Sequence, residues 1–216
     1  MASRVKSRPY DSSNRARQAR ETRRRIVEAA ALLFVRDGYS ATSISTIAHE
    51  AEVAVPTVYA SLRSKANILR AVVELTVRGD DEASPLASRA AWQEMLGHRD
   101  PREQLATFAH LHRQVCDREA AVFAQLEAAA GADPEATQLL SEHDQLRYQT
   151  QRRLAQSLHR RKQLKPGLAA RQAADAIWTL ASERTYLALV RDRGWQAEHY
   201  EQWVAEQLVA ALLPHR

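Results

Sequence analysis

Three cap-and-proline pairs, Ser84-Pro85, Asp100-Pro101 and Asp133-Pro134, punctuate a chain whose apolar residues otherwise recur every third or fourth position. Proline fits the first turn of a helix, where its missing N–H would have had no intrahelical partner. The Ser or Asp before it can accept from the free amides that follow. An apolar period near 3.6 buries one face of a helix. With 6 glycines and 7 prolines in 216 residues, turn formers are too few for the many short connections of an all-β chain. The chain is expected to be all-α. Its 45% apolar content is enough to bury a core, and its length suits one large domain or two smaller ones.

Residues 1–18 lack apolar periodicity and are predicted to form a basic flexible arm. From about Arg20 the pattern turns helical, with Ile26, Ala29, Ala30, Leu33 and Phe34 on one face and Gly38 as the C-cap. A second helix starts at Thr42 or Ser43 and turns Ile44, Ile47, Ala48 and Ala51 inward. A third, from about Val55 to Ser61, has Pro56 in its first turn and Val58 and Leu62 facing the core. A fourth begins near Lys65 and carries Ile68, Leu69, Val72, Val73 and Leu75 as its stripe. Gly79-Asp80-Asp81-Glu82 breaks the pattern, which separates a domain over 19–78 from one over 83–216. Further helices are predicted over 86–97, 101–116, 118–130, 134–163, 167–193 and 197–213, and Glu103 is placed to complete a capping box with Asp100.

The net charge of +5 is unevenly spread. Residues 1–25 hold nine cations against Asp11 and Glu21, whereas residues 71–216 are slightly acidic. A terminal basic block can be a solvated tail, but beside a DNA-reading motif it points to phosphate binding. The single cysteine, Cys116, excludes an internal disulfide and a cysteine-based zinc site. The longest apolar run, Ala29 to Val35, is too short to span a bilayer, and no apolar stretch follows the basic N-terminus as a secretory signal requires. A soluble, cytoplasmic protein without membrane association is expected.

The second and third helices have the pattern of a helix-turn-helix, in which one helix braces across the DNA backbone and the next enters the major groove. Ala48 is small enough for the two to approach closely, while Ile44, Ile47, Val53 and Val58 face a shared core. An ordinary helical hairpin would show much of the same pattern. The match becomes specific through Ile26-Val27-Glu28-Ala29-Ala30, Leu33-Phe34, Gly38-Tyr39, Thr42-Ser43-Ile44, Ile47-Ala48, Ala51, Thr57-Val58-Tyr59, Ser64-Lys65 and Ile68-Leu69. In these residues Arg24 to Leu69 resembles the DNA-binding domain of the tetracycline-repressor (TetR) family of one-component regulators.

The resemblance implies roles for particular residues. Thr42 and Ser43 would bind phosphate through hydroxyls and free amides. Tyr59 and Lys65 would contact the same backbone, and Val55, Pro56, Thr57 and Ala60 would touch base edges, suiting thymine methyls and shape more than guanine. Arg15, Arg17 and Arg20 would add phosphate or minor-groove contacts. The bland reading makes Tyr59 a core residue and Arg20 to Arg25 a solvated helix face. Three departures stand out. Glu52 replaces the glycine usual at the turn, Ser61-Leu62 replaces a common His-Phe, and Ala54 cannot cap the reading helix. A left-handed Glu52 would cost roughly 1–2 kcal/mol that glycine avoids.

The resemblance further implies a C-terminal helical ligand-binding and dimerisation domain. Two apolar stripes could pair with their twofold mates or form the protomer's own core: Tyr200, Trp203, Val204, Leu208, Ala211 and Leu212, and Ile177, Leu180, Ala181, Leu187, Ala188 and Val190. Candidate ligand contacts are polar or aromatic residues on apolar faces, namely Trp92, Phe108, His112, Cys116, His143, Tyr148 and Trp178. His112 and Cys116 are spaced to share a metal, but two ligands without a third do not make a site, so no metal or other cofactor is expected. The expected function is a non-enzymatic, homodimeric regulator, a repressor released from a pseudo-palindromic double-stranded operator by an unidentified small-molecule inducer. The alternatives are a DNA-binding protein without an inducer and an all-helical enzyme.

Overall fold

The computed structural model describes residues 12–79 and 89–214, with no strand among them. The helices are α1 (Ser12–Asp37), α2 (Ile44–Glu50), α3 (Val55–Leu62), α4 (Lys65–Arg78), α5 (Ala90–Gly97), α6 (Pro101–Ala130), α7 (Pro134–Arg160), α8 (Ala170–Leu180), α9 (Glu183–Tyr186) and α10 (Ala197–Leu212), with a π-helical turn at Leu187–Arg191. Two compact units, Met1–Leu69 and Arg70–Arg216, divide inside α4. Ser84-Pro85 and the first residues of the helix predicted over 86–97 lie outside the described residues.

In the first unit α1, α2 and α3 bury Ile26, Ala30, Leu33, Phe34, Ile47, Ala48, Val58 and Leu62. Helix α1 starts at Ser12. Arg15 and Arg17 therefore stand on a helix rather than in a flexible arm; residues 1–11 lie outside the described residues. Between α2 and α3 the chain closes a Schellman motif. The Val53 amide donates to the Ala48 carbonyl at 2.9 Å and the Glu52 amide to the His49 carbonyl at 3.0 Å. That pattern needs a left-handed residue at Glu52, and its φ is +52°. The Arg25 guanidinium on α1 donates to the carbonyl of Ala51, and at 3.3 Å and 3.2 Å to the Glu52 carbonyl and carboxylate. Three interactions with one side chain thus hold a turn that lacks its glycine. Lys162, with φ +56°, fills the same position after α7. Arg63 (φ +66°) centres a γ-turn closed by the Ser64 amide on the Leu62 carbonyl at 2.8 Å, which sets the sharp exit from α3 into α4.

In the second unit α6 packs against α5, α7, α9 and α10. Its sequence shows two helices where the structure has one. No glycine or proline interrupts residues 116–118, and Arg113 and Asp117 pair across one turn over the expected break. The Asp100 carboxylate caps α6 by accepting from the Arg102 amide at 2.8 Å. The helix expected over 167–193 is instead broken after Leu180. Free carbonyls at such an end need donors, and α7 supplies them. Arg147 donates to the carbonyls of Trp178 and Ala181, both at 3.0 Å, and Gln151 to that of Ala181 at 3.1 Å. Ser182 then restarts the chain as the cap of α9, accepting from the Thr185 amide at 3.1 Å.

The apolar stripes on α8 and α10 are largely the protomer's own core. Ile177, Ala181, Leu187, Tyr200, Val204, Leu208 and Leu212 are all buried within the unit. Beside them runs a line of rings. Trp92 meets Phe108 edge to face with centroids 6.0 Å apart, and Phe108 stacks on His112 at 6.1 Å. The His112 ring and the Tyr200 hydroxyl are linked at 3.1 Å, and that hydroxyl donates on to the Ser182 carbonyl at 3.3 Å. Burial pushes the His112 pKa down to about 4, with the Glu183 charge opposing and that of Arg147 assisting.

Two outcomes follow from these arrangements. Glu52→Gly is expected to raise stability by about 1 kcal/mol, since the strain removed exceeds the exposed Arg25 pair it gives up; a lower urea midpoint would show a turn built otherwise. His112 stays neutral when folded but titrates near 6.5 when unfolded. Its contribution is therefore complete above pH 6.5 and lost as pH falls towards 4, at about 1.4 kcal/mol per pH unit. His112→Gln should flatten that acid limb in urea melts across the same range.

Candidate nucleic-acid interface and interior polar cluster

The face of α3 turned away from the first unit's core exposes small, apolar and aromatic side chains. Val58 and Leu62 are buried, whereas Val55 is 37% and Tyr59 50% exposed, with Pro56 and Ala60 beside them and Thr57 half-buried. Tyr59 is therefore not a core residue. Small and apolar groups around one phenol hydroxyl suit the floor and wall of a major groove. Arg15, Arg17 and Arg20 are exposed on α1. Arg17 donates to the Asn14 side chain at 2.7 Å, and Arg24 is taken up by Glu21 and Glu28.

Of the two hydroxyls expected at the start of α2, one is unavailable. Thr42 is buried, and its hydroxyl donates to the Gly38 carbonyl at 2.8 Å and the Leu33 carbonyl at 3.3 Å. It fastens α1 to the loop, and the expectation that it contacts phosphate is corrected. Ser43 is the exposed cap and accepts from the Thr46 amide at 3.0 Å. Lys65 is half-buried. Its ammonium donates to the Ser40 carbonyl at 3.3 Å and lies 4.4 Å from the centroid of the Tyr39 ring, so a phosphate contact would be shared with these.

The seven candidate ligand contacts do not line one pocket. Trp92, Phe108, His112 and Cys116 form a continuous buried strip along α5 and α6, in which the Cys116 sulfur lies 3.4 Å from the His112 Nε2. Burial pushes the Cys116 thiol up, so it stays protonated. Tyr148 is at the surface and donates to Asp175 at 2.9 Å. Trp178 lies under the Arg147 guanidinium at 4.6 Å. His143 faces Phe123, with centroids 5.4 Å apart.

Around His143 lies a polar cluster that reading along the sequence misses. Glu119 and Glu183 are each 2% exposed, and with His143 they place ligand atoms within 4.8 Å of one another. Arg147 Nε lies 3.3 Å from Glu183 Oε2, and His143 Nε2 lies 3.8 Å from Glu183 Oε1. Burial and the neighbouring Glu183 charge push Glu119 well above the ordinary carboxyl range, so it holds a proton beside Glu183. Burial works against the Glu183 charge, but Arg147, His112 and the Glu119 proton together keep its carboxyl below the usual range. Burial lowers the His143 pKa, so its ring is neutral. Glu119 was within reach of sequence reasoning, since it continues the α6 face of His112 and Cys116 at helical spacing. Glu183 was not, because an unbroken helix places it differently.

Residues 26–72 match the model of the bacterial regulatory proteins of the tetR family. No curated protein sequence matches the chain. Among solved structures, the chain is similar to a candidate transcriptional regulator from Saccharomonospora viridis in complex with choline, with 23% identity, TM-score 0.69, and 91% of this chain and 100% of that one covered. It is also similar to the fatty acid degradation regulator FadR from Bacillus halodurans, with 19% identity, TM-score 0.70, and 90% and 97% covered. A third is a transcriptional regulator from Aquifex aeolicus, with 18% identity, TM-score 0.63, and 88% and 98% covered. At these identities the likeness is one of fold, and it extends through both units. Residues 26–72 therefore form a helix-turn-helix unit of the tetR type, and the chain shares the all-helical fold of these regulators.

Proposed function

We propose that the protein is a homodimeric repressor that leaves a pseudo-palindromic operator when a small molecule binds its second unit. The observation that carries the DNA-reading part is the exposed α3 face of Val55, Pro56, Tyr59 and Ala60, held out by a braced turn. Tyr59, Ser43 and Lys65 are the proposed backbone contacts, with Arg15, Arg17 and Arg20 adding cations from α1. Val55, Pro56, Thr57 and Ala60 are the proposed base contacts.

Two protomers are proposed because one short reading helix binds weakly, whereas two placed about 34–36 Å apart read successive major grooves. On α10 Trp203, Ala205, Val209 and Ala211 pack at the edge of the protomer's core yet remain half-buried, and the proposed pairing would cover them. The choline held by the S. viridis protein supports a small-molecule effector in this fold. Helix α4 contributes residues to both units. It is the proposed route by which an effector that prefers one state shifts DNA affinity. No described helix is long and apolar enough to cross a membrane, and a cytoplasmic site of action is part of the proposal.

Titration against DNA from upstream of the protein's own gene, over a series of salt concentrations, tests the reading. Tyr59→Phe is expected to weaken binding about tenfold, the scale of one hydrogen bond to a charged group. Lys65→Ala should lower the salt slope by about one. Unchanged affinity and slope in both variants would remove the assigned interface. Sedimentation should give twice the 24.3 kDa chain mass; a monomer that still binds the operator tightly would overturn the dimer.

A further inference from the structure

The interior of the second unit gathers three ionisable side chains that DNA reading does not use. Glu119 comes from α6, His143 from α7 and Glu183 from the first turn of α9, each brought to one point by a different helix. Among the described residues, Glu119 Oε2 and His143 Nε2 are buried without a hydrogen-bond partner, while Glu183 Oε2 has the Arg147 Nε at 3.3 Å as an ion-pair partner with no aligned hydrogen bond. Leaving such groups unsatisfied is costly, and native interiors avoid it unless something else satisfies them. We propose that Glu119, His143 and Glu183 bind a divalent first-row transition-metal ion, of the zinc class, at the centre of the second unit.

The donor set and its spacing decide the ligand class. One imidazole and two carboxylates are a familiar set for zinc and its neighbours, with bonds of about 2.0–2.2 Å. Donors on one such ion therefore lie within about 4.4 Å of each other. His143 Nε2 and Glu183 Oε1 are already 3.8 Å apart, and the whole set spans no more than 4.8 Å. A shift of a few tenths of an ångström in a side chain completes the approach. An ion fits that gap, whereas a multi-atom molecule would have to force the three helices apart. Arg147 faces Glu183 but is also anchored on the carbonyls of Trp178 and Ala181. It remains in place as an outer partner orienting the carboxylate. Three protein donors leave coordination positions open, and the ion would fasten α6 and α7 to the start of α9.

That the ion also acts as an effector rests on the regulatory reading above; its binding does not. The test uses the full chain, stripped with chelator, and zinc(II) as the probe. Calorimetry should give one equivalent per chain, with affinity falling at least tenfold in Glu119→Gln and in His143→Gln. Cobalt(II) should give a visible ligand-field band in the wild type that His143→Gln lacks. Zinc should also raise the melting temperature of the wild type, a reading that does not depend on either variant folding. No bound equivalent, no thermal shift, or binding that both folded variants retain would overturn the site. So would choline binding with the same sensitivity to the two variants while zinc does not bind. Operator affinity measured with and without zinc separates the two ideas. Zinc held by the cluster with DNA affinity unchanged supports the site and removes only its regulatory role.

Discussion

Arg147 occupies the position on which the second unit's interior depends. Its guanidinium donates to two carbonyls left free where α8 ends and lies beside the Glu183 carboxylate that begins α9. One side chain therefore satisfies the end of one helix and the charge at the start of the next. Without it the break would leave buried carbonyls unpaired and Glu183 an isolated buried anion, a loss on the order of 3–5 kcal/mol. With it, a short helix and a π-helical turn replace what would have been straight helix, and Glu183 enters the core beside Glu119 and His143. Irregular helical turns of this kind are often found at functional sites.

The first unit solves a related problem with another arginine. A Schellman turn leads from the bracing helix to the reading helix, and the residue that must be left-handed is a glutamate. Arg25 binds the two carbonyls at the turn and the Glu52 side chain. The strain is local and small beside the burial of Ile47, Ala48, Val58 and Leu62 on either side of it. The consequence for function is a reading helix held at a set angle, with Val55 and Tyr59 facing outward.

Much of the DNA-reading unit could be read along the chain. Periodicity places α2, α3 and α4, Gly38 marks the end of α1, and Pro56 marks the start of α3, because helix ends are written in residues a few positions apart. Thr42 shows where that reading fails. A hydroxyl at a helix start looks like a phosphate ligand until its depth and its bonds to the Gly38 and Leu33 carbonyls are known. The second unit was less legible. The apolar stripes of α8 and α10 are plain in the sequence, but whether they face a partner or the protomer's own core depends on what packs against them.

The sequence by itself determined the helical class and the helix-turn-helix with its likeness to the tetR type, since these rest on local spacing and on residues close in the chain. It also carried the odd glutamate at the turn and the basic residues of α1. Only the tertiary structure decided that Arg25 would brace that turn, that Ser182 would restart a helix, and that Glu119, His143 and Glu183 would meet. Those residues are dozens of positions apart, and their meeting depends on a helix break held by side chains of α7. No local pattern records such a break, because the donors that satisfy it come from another helix.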